Sequence, residues 1–153
     1  MLFFKFIFQG WPETAALIFV AFAIVGYKPN LRESLSYSFF LVTIIYLFRI
    51  LPVSFGLHTI VGVIALVLII CKVTKVSLGT SFLTAFSTMF LLAFLETGSH
   101  QLIKNLIGNV SMDQGWYWIM IGWPHVVSLV GVGIIIRKIR PIAMKKIRWL
   151  NEQ

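Results

Sequence analysis

Acidic residues are scarce in this chain, which has only five Asp and Glu among 153 residues. Catalysis by paired carboxylates needs two of them placed together, and no such pair is recognisable in the sequence. The sequence also has no Ser/His/Asp arrangement in a known context, no phosphate-binding loop and no His-Glu-x-x-His signature. We therefore expect no enzymatic activity, no cofactor and no metal.

Cysteine and charge are scarce as well. The chain has one cysteine, Cys71, so an intrachain disulfide is excluded, and we interpret this residue as a small buried hydrophobe. Charged residues make up 12% of the chain and hydrophobic residues 59%, which leaves too little charge to cover a water-soluble domain. The net charge of +8 does not indicate nucleic acid, because the basic residues stand in short groups beside apolar runs. The composition predicts an integral membrane protein whose first partner is the lipid bilayer.

The apolar runs approach the ~20 residues that a helix needs to cross a bilayer. We predict an all-α, polytopic membrane helix bundle that forms a single domain over residues 1–153. About five transmembrane helices are predicted, near 11–27, 36–51, 56–71, 79–95 and 116–136. Segment 98–114 is too polar to cross, and its apolar residues recur at helical spacing, which predicts an amphipathic helix on the outer surface. A basic tail, 137–153, follows the last span.

The basic residues predict the orientation of these spans. If the C-terminus lies in the cytoplasm, ten of the thirteen Lys and Arg residues fall on the inner side. They are Lys28, Arg32, Lys72, Lys75, Arg137, Lys138, Arg140, Lys145, Lys146 and Arg148. We therefore expect an outside N-terminus. The expected location is a cell membrane, namely the bacterial cytoplasmic membrane. The tail residues Arg137, Lys138, Arg140, Lys145, Lys146 and Arg148 are predicted to contact anionic lipid, with a cytoplasmic protein partner as the alternative.

Six ionisable residues fall in the outer half or at the outer edge of this arrangement. Ionisable groups inside a membrane cost about 2.5–3.5 kcal/mol or more when unpaired, so they face one another or a wet cavity. The sequence thus predicts an outward-facing polar pocket that binds a small molecule or peptide. Its candidate residues are Glu13, Arg49, His58, Glu96, His100 and His125.

Arg49 has apolar neighbours on both sides and three ways to be satisfied. It can extend to the outer headgroups, pair with Glu96 or Glu13, or bind an anionic ligand group. Glu96 and His100 are four residues apart, which places them on one helix face. A metal site there would need a third ligand such as His58, and we do not favour it.

His125 follows Pro124 inside the fifth predicted span. Pro124 is expected to kink this helix and to free carbonyl groups that His125 can bond. A structural role for His125 is favoured, with ligand contact or proton transfer as the alternative. The nearby Gly131-Val-Gly133 sequence is interpreted as a close helix contact rather than a nucleotide loop.

The segment Leu51-Pro-Val-Ser-Phe-Gly56-Leu-His58-Thr-Ile60, followed by an apolar helix that ends at Lys72, resembles part of a known family. It is similar to the N-terminal membrane-sensing region of Gram-positive sensor histidine kinases of the peptide-pheromone receptor type. The resemblance implies a region that detects an extracellular signal and passes a helix movement to cytoplasmic kinase domains. Residues up to Gln153 include no phosphoacceptor or nucleotide-binding region, so we expect a detached sensor module or an excised domain.

Three functions are consistent with these features. The first is a sensory or ligand-binding membrane module that acts through its basic tail on a protein partner or a second copy. The second is the substrate-binding subunit of a multi-component importer, although the usual Ala-x-x-x-Ala spacing is not reproduced. The third is a small structural subunit of a larger membrane complex.

Overall fold

The computed structural model describes residues 6–50, 57–107 and 115–151, and these ranges are helical apart from two short connections. A π-helical turn, Phe6–Gly10, leads without a break into the first α-helix. The α-helices are α1 (Trp11–Val25), α2 (Leu31–Ile50), α3 (Leu57–Thr74), α4 (Leu78–Ile107) and α5 (Gly115–Asn151). No strand occurs within these ranges, so the predicted all-helical class is confirmed.

The helix ends follow local rules of sequence. At the end of α1, Gly26 adopts a left-handed φ of 78°, and its N–H donates to the Ala23 carbonyl at 3.2 Å. At the start of α2, the Asn30 N–H donates to the Glu33 carboxylate at 3.2 Å, the reciprocal bond of a capping box. The Ser77 hydroxyl accepts the Thr80 N–H at 3.3 Å before α4. These bonds satisfy backbone groups at the two connections and set where each helix begins or ends.

Helix α1 lies at the centre of the bundle and packs against all four other helices. Each of the others also packs against its neighbour in sequence, and α5 returns to α1 with the most extensive contact in the fold. Most of α1 is accordingly buried, including Leu17, Ile18 and Phe22. A helix that is apolar all round fits this central position.

Helices α1 and α5 run parallel. A methyl group added at Gly122 would lie 2.6 Å from Gln9 Nε2, and one added at Gly133 would lie 2.6 Å from the Phe19 ring. The contact therefore advances toward the C-terminus on both helices together. We call this line of contact, which includes the π-helical turn, the α1–α5 seam. Its glycines allow the close approach that the sequence predicted for Gly133, whereas Gly131 has no atom within 4 Å of an added methyl group.

The outward faces of the bundle are apolar. Four phenylalanines on α4 recur at intervals of four residues and are all exposed; they are Phe82, Phe86, Phe90 and Phe94. Among the described residues, four helical segments are long and apolar enough to cross a membrane, namely Phe6–Val25, Leu31–Arg49, Leu57–Thr74 and Leu78–Leu106. A helical bundle with such an exterior is compatible with a multi-pass membrane protein. The exact number of spans and their direction stay predictions.

Several helix boundaries differ from those expected. The first helical stretch begins at Phe6 rather than near Trp11, because the π-helical turn continues into α1. Helix α4 continues without a break through Ile107, so residues 98–107 are its last turns and not a separate outer helix. The single Gly98 costs only about 1 kcal/mol in a helix, which is too little by itself to end it. Residues 108–114 lie outside the described part.

Helix α5 also exceeds its expected length. It runs through Pro124 and Pro141 and takes up the basic tail as far as Asn151. The Ser128 hydroxyl donates to the Pro124 carbonyl at 2.8 Å, a bond between residues one turn apart on the same helix. Neither proline ends the helix.

Candidate functional site

The fold brings together two of the six predicted pocket residues, Glu13 and His125. Glu13 lies in the first turn of α1, and His125 lies on the face of α5 that contacts it. Glu13 Oε2 and His125 Nε2 are 3.7 Å apart, which exceeds hydrogen-bond distance. The His125 side chain is 0% exposed and that of Glu13 is 25% exposed. The carboxylate thus lies at the edge of the α1–α5 seam, with the imidazole buried behind it.

Neither ring nitrogen of His125 has a hydrogen-bond partner in the described structure. A buried polar group left without a partner costs about 1–3 kcal/mol. Buried side-chain nitrogens in native proteins are almost always bonded, and exceptions are found where a group is kept for a functional reason. His125 is therefore the residue of this bundle whose position is hardest to explain by stability alone.

Gln9 extends the polar part of the seam by one turn. It precedes Glu13 by four residues, and its side chain fills the space that Gly122 leaves open on α5. Gly122 in turn precedes His125 by three residues, which places both on the same face of that helix. Gln9 belongs to the π-helical turn, a rare conformation that often lies at functional sites. A carboxylate, an imidazole and an amide are thus aligned along one helix contact.

A neighbouring polar cluster behaves differently. The Thr14 hydroxyl lies 3.0 to 3.2 Å from the carbonyl oxygens of Gly10, Trp11 and Ser38, and any of the three can accept its one proton. The Trp11 indole N–H donates to the Ser38 hydroxyl at 3.0 Å, which itself donates to the Leu35 carbonyl at 2.9 Å. This cluster joins α1 to α2 and satisfies its own polar groups. We interpret this cluster as structural. It differs from Glu13 and His125, which approach each other without a hydrogen bond.

One more buried polar atom is unsatisfied among the described residues, the phenolic oxygen of Tyr46. Its ring packs edge-on against Phe6, with ring centroids 5.0 Å apart. Tyr46 lies in the last turns of α2, at the end of the bundle where the π-helical turn begins. The unsatisfied groups of the described structure therefore belong to the half of the bundle that the sequence predicted to be polar.

Arg49 and Glu96 do not join this site. Arg49 is exposed in the last turn of α2, and Glu96 is half-buried far along α4. In the described part of the chain neither has an ion-pair partner, so the pairing of Arg49 with Glu96 or Glu13 that we considered does not form. The exposed position fits the alternative in which Arg49 extends to headgroups.

The two remaining predicted pocket residues are half-buried in other helices. His58 lies in the first turn of α3, and His100 lies one turn after Glu96 on α4. Across residues 6–50, 57–107 and 115–151, no three His, Cys, Asp or Glu side chains come close enough to hold a metal ion. Cys71 is partly buried and donates to the Val76 carbonyl at 3.6 Å.

Basic residues mark the opposite end of the α1–α5 seam. The Arg140 guanidinium contacts Gly26 at the C-terminal end of α1, where a cation complements the helix dipole. Arg137 lies over the Phe19 ring, 5.9 Å from its centroid, and Lys138 is exposed. The side chains of Lys145, Lys146 and Arg148 lie outside those described. The seam thus connects the Glu13–His125 site to the start of the basic tail.

The connection between α1 and α2 lies at the same end. The Tyr27 hydroxyl donates to the Glu33 carboxylate at 3.4 Å. Partial burial of the phenol, together with the nearby negative charge of Glu33, raises the pKa of Tyr27 above its ordinary value of 10.0. The Glu33 carboxylate therefore accepts hydrogen bonds both from the Asn30 N–H that caps α2 and from the Tyr27 hydroxyl.

Comparison with known proteins adds no relative. No family model matches the chain, and no curated protein and no solved structure is significantly similar to it.

Sequence reasoning missed Gln9, Gly122 and Tyr46. The spacing of Gln9 to Glu13 is a helical signal, but it is visible only if the helix begins before Trp11. The π-helical turn supplies that continuation, and nothing in residues 6–10 announces it. Gly122 makes room for a side chain of another helix, which depends on packing and not on local sequence.

Proposed function

We propose that this chain is a sensory or ligand-binding membrane module whose ligand site is centred on Glu13 and His125. One observation carries the proposal: His125 is fully buried, faces a carboxylate, and has no hydrogen-bond partner for either nitrogen among the described residues. Ionisable groups kept inside a bundle at such a cost are functional candidates by default. A ligand that bonds these atoms would remove the cost.

The proposed membrane arrangement has five spans, with the N-terminus outside and the basic tail inside. Glu13 lies about 10 Å along the helical stretch from Phe6, at 1.5 Å per residue, so the site falls in the outer half. Residues 115–136 of α5 span about 33 Å and carry no charged residue, which matches a hydrocarbon layer of about 30 Å. The basic residues from Arg137 onward then emerge on the inner side, as the positive-inside rule requires.

The geometry also supports a route from site to tail. Helix α5 carries His125 and, about 18 Å further along the same helix, Arg137. Because α1 and α5 are in contact along this whole distance, a ligand that draws Glu13 and His125 together would shift the two helices relative to each other. The resemblance to sensor-kinase membrane regions is consistent with such an output.

The test is native mass spectrometry of the protein extracted gently from its own membrane. We expect a bound small molecule or peptide in the wild type, and its loss in Glu13→Gln. Glu33→Gln is the matched control, because that carboxylate caps α2 at the other end of the bundle and should leave the ligand bound. A stable partner protein and no ligand in all three samples would instead favour the structural-subunit alternative.

A further inference from the structure

We infer that the Glu13–His125 site binds a primary ammonium group. This inference rests on the proposed function and adds the chemical class of the ligand. It follows from the charge along the α1–α5 seam and from the hydrogen-bonding capacity of the three polar groups there.

Around Glu13, the seam has a negative charge and no Lys or Arg among the helical residues Phe6–Val25 and 115–136. Glu13 is the only charged residue in the helical stretch Phe6–Val25, and α5 carries none before Arg137. The one ion-pair contact of Glu13 is with His125, at a distance too long for a hydrogen bond. An ionised carboxylate in an apolar bundle needs a nearby positive charge. A cationic ligand supplies one, since no Lys or Arg of the described residues pairs with Glu13.

The donors of a primary ammonium match the acceptors of the site. Such a group has three N–H donors and no acceptor. Glu13 offers carboxylate oxygens, a neutral His125 offers one ring nitrogen, and the Gln9 amide offers its oxygen. The partial exposure of Glu13 gives the ligand access to the carboxylate first, while the buried imidazole lies behind it. The space beside Gly122, which now holds the Gln9 side chain, lets that amide adjust to the ligand.

An anionic ligand fits poorly, because Glu13 would repel it and neither Phe6–Val25 nor α5 before Arg137 carries a basic residue. A quaternary ammonium would satisfy the charge but could not donate to His125 or Gln9. The arrangement therefore distinguishes ligands by charge and by N–H donors separately. Two sources share this chemistry, a free amine and the N-terminus of a peptide.

The experiment measures ligand-dependent thermal stability of the full chain in lipid nanodiscs. The probes are n-butylammonium, n-butyltrimethylammonium and butyrate at up to about 50 mM, with leucinamide and N-acetyl-leucinamide as a second pair. We expect n-butylammonium to stabilise the wild type, with a dissociation constant at least about tenfold weaker in Glu13→Gln. The quaternary probe and butyrate should have no effect that depends on Glu13. Tighter binding of leucinamide than of n-butylammonium would indicate a peptide N-terminus, and the reverse order a free amine.

A second pair of variants tests the inference independently in case Glu13→Gln does not fold. Gly122→Ala places a methyl group against the Gln9 amide and should weaken n-butylammonium binding. Gly131→Ala lies on the same helix with open space around it, so it should bind the probe as the wild type does.

The outcomes separate this inference from the proposed function. If butyrate or the quaternary probe binds in a way that depends on Glu13, the site is real and the ammonium assignment is wrong. If no probe shows a response that depends on Glu13, the ammonium assignment is also overturned, and the ligand found or not found by native mass spectrometry then decides the proposed function.

Discussion

At the scale of single residues, the described structure separates polar groups that are satisfied from those that are not. Thr14, Ser38 and Trp11 close a hydrogen-bonded cluster between α1 and α2. Glu13, the residue before Thr14 on α1, approaches His125 of α5 without forming a hydrogen bond. A bundle selected for stability alone would not keep the second arrangement, because apolar residues of similar volume pack there at no polar cost.

This difference predicts opposite effects on stability. The double variant Glu13→Gln/His125→Leu should be at least as stable as the wild type, since it removes an unsatisfied imidazole and an uncompensated carboxylate. Thr14→Val should lower the free energy of unfolding by about 1 kcal/mol, because it removes the hydroxyl that bonds to α2. Reversible unfolding in detergent measures both. A double variant much less stable than Thr14→Val would show that the pair is structural.

Tyr27 provides a prediction about protonation. Its pKa is raised by burial and by Glu33, so the phenol stays neutral in the folded protein at a pH where the unfolded chain ionises. The resulting contribution to stability is present below pH 10 and is lost as pH rises through the folded pKa. Glu33→Gln should move the pKa of Tyr27 back toward 10.0. The difference in ultraviolet absorbance between each protein and its Tyr27→Phe derivative follows this titration, and an unchanged pKa would contradict the assignment to Glu33.

At the scale of helices, the α1–α5 seam depends on where glycine occurs. Gly133 receives the Phe19 ring and Gly26 receives the Arg140 guanidinium, and neither contact leaves room for a methyl group. The Arg137 guanidinium also lies over the Phe19 ring. The seam is therefore tightly packed near the basic tail, which allows a displacement at Glu13 to reach the tail through direct contacts.

The glycines give a matched pair of variants. Gly133→Ala should lower the free energy of unfolding by about 1–3 kcal/mol, because its new methyl group would meet the Phe19 ring and Val20. Gly131→Ala should be neutral or stabilising by up to about 1 kcal/mol, because it meets nothing and improves helix propensity. Thermal unfolding in the same detergent compares the two. Equal destabilisation would mean that α1 and α5 do not pack as described.

The sequence predicts most of the helices but not their ends or partners. Apolar runs located the five α-helices of the described residues, and capping residues such as Asn30 with Glu33 explain where α2 starts, five residues before the apolar run begins. Hydropathy places a boundary where polarity changes, whereas the backbone of α4 continues through Gly98 and that of α5 through Pro124 and Pro141. The pairing of Glu13 with His125 was one of several combinations that the sequence allowed. Choosing it requires knowing that α1 and α5 are adjacent and parallel, which is a property of the whole fold.

At the scale of the whole molecule, the parallel α1 and α5 constrain the membrane arrangement. In the proposed arrangement both helices cross in the same direction, so α2, α3 and α4 together make an odd number of crossings between them. Three successive crossings satisfy this condition and agree with the five proposed spans, with Arg137 and the residues that follow it on one side together with Lys28 and Arg32. The charge rule favours the cytoplasm for that side, as proposed.

This arrangement predicts which side of the membrane each connection faces. In a Cys71→Ala background, a cysteine introduced by Asn30→Cys lies between α1 and α2 and should react with a membrane-impermeant maleimide only after the cells are opened. One introduced by Gln101→Cys lies about 35 Å from the start of α4, beyond the hydrocarbon layer, and should react in intact cells. Both positions are exposed, so a difference in labelling reports sidedness and not burial. The opposite pattern would place the Glu13–His125 site in the cytoplasmic half, and its ligand would then have to come from inside the cell.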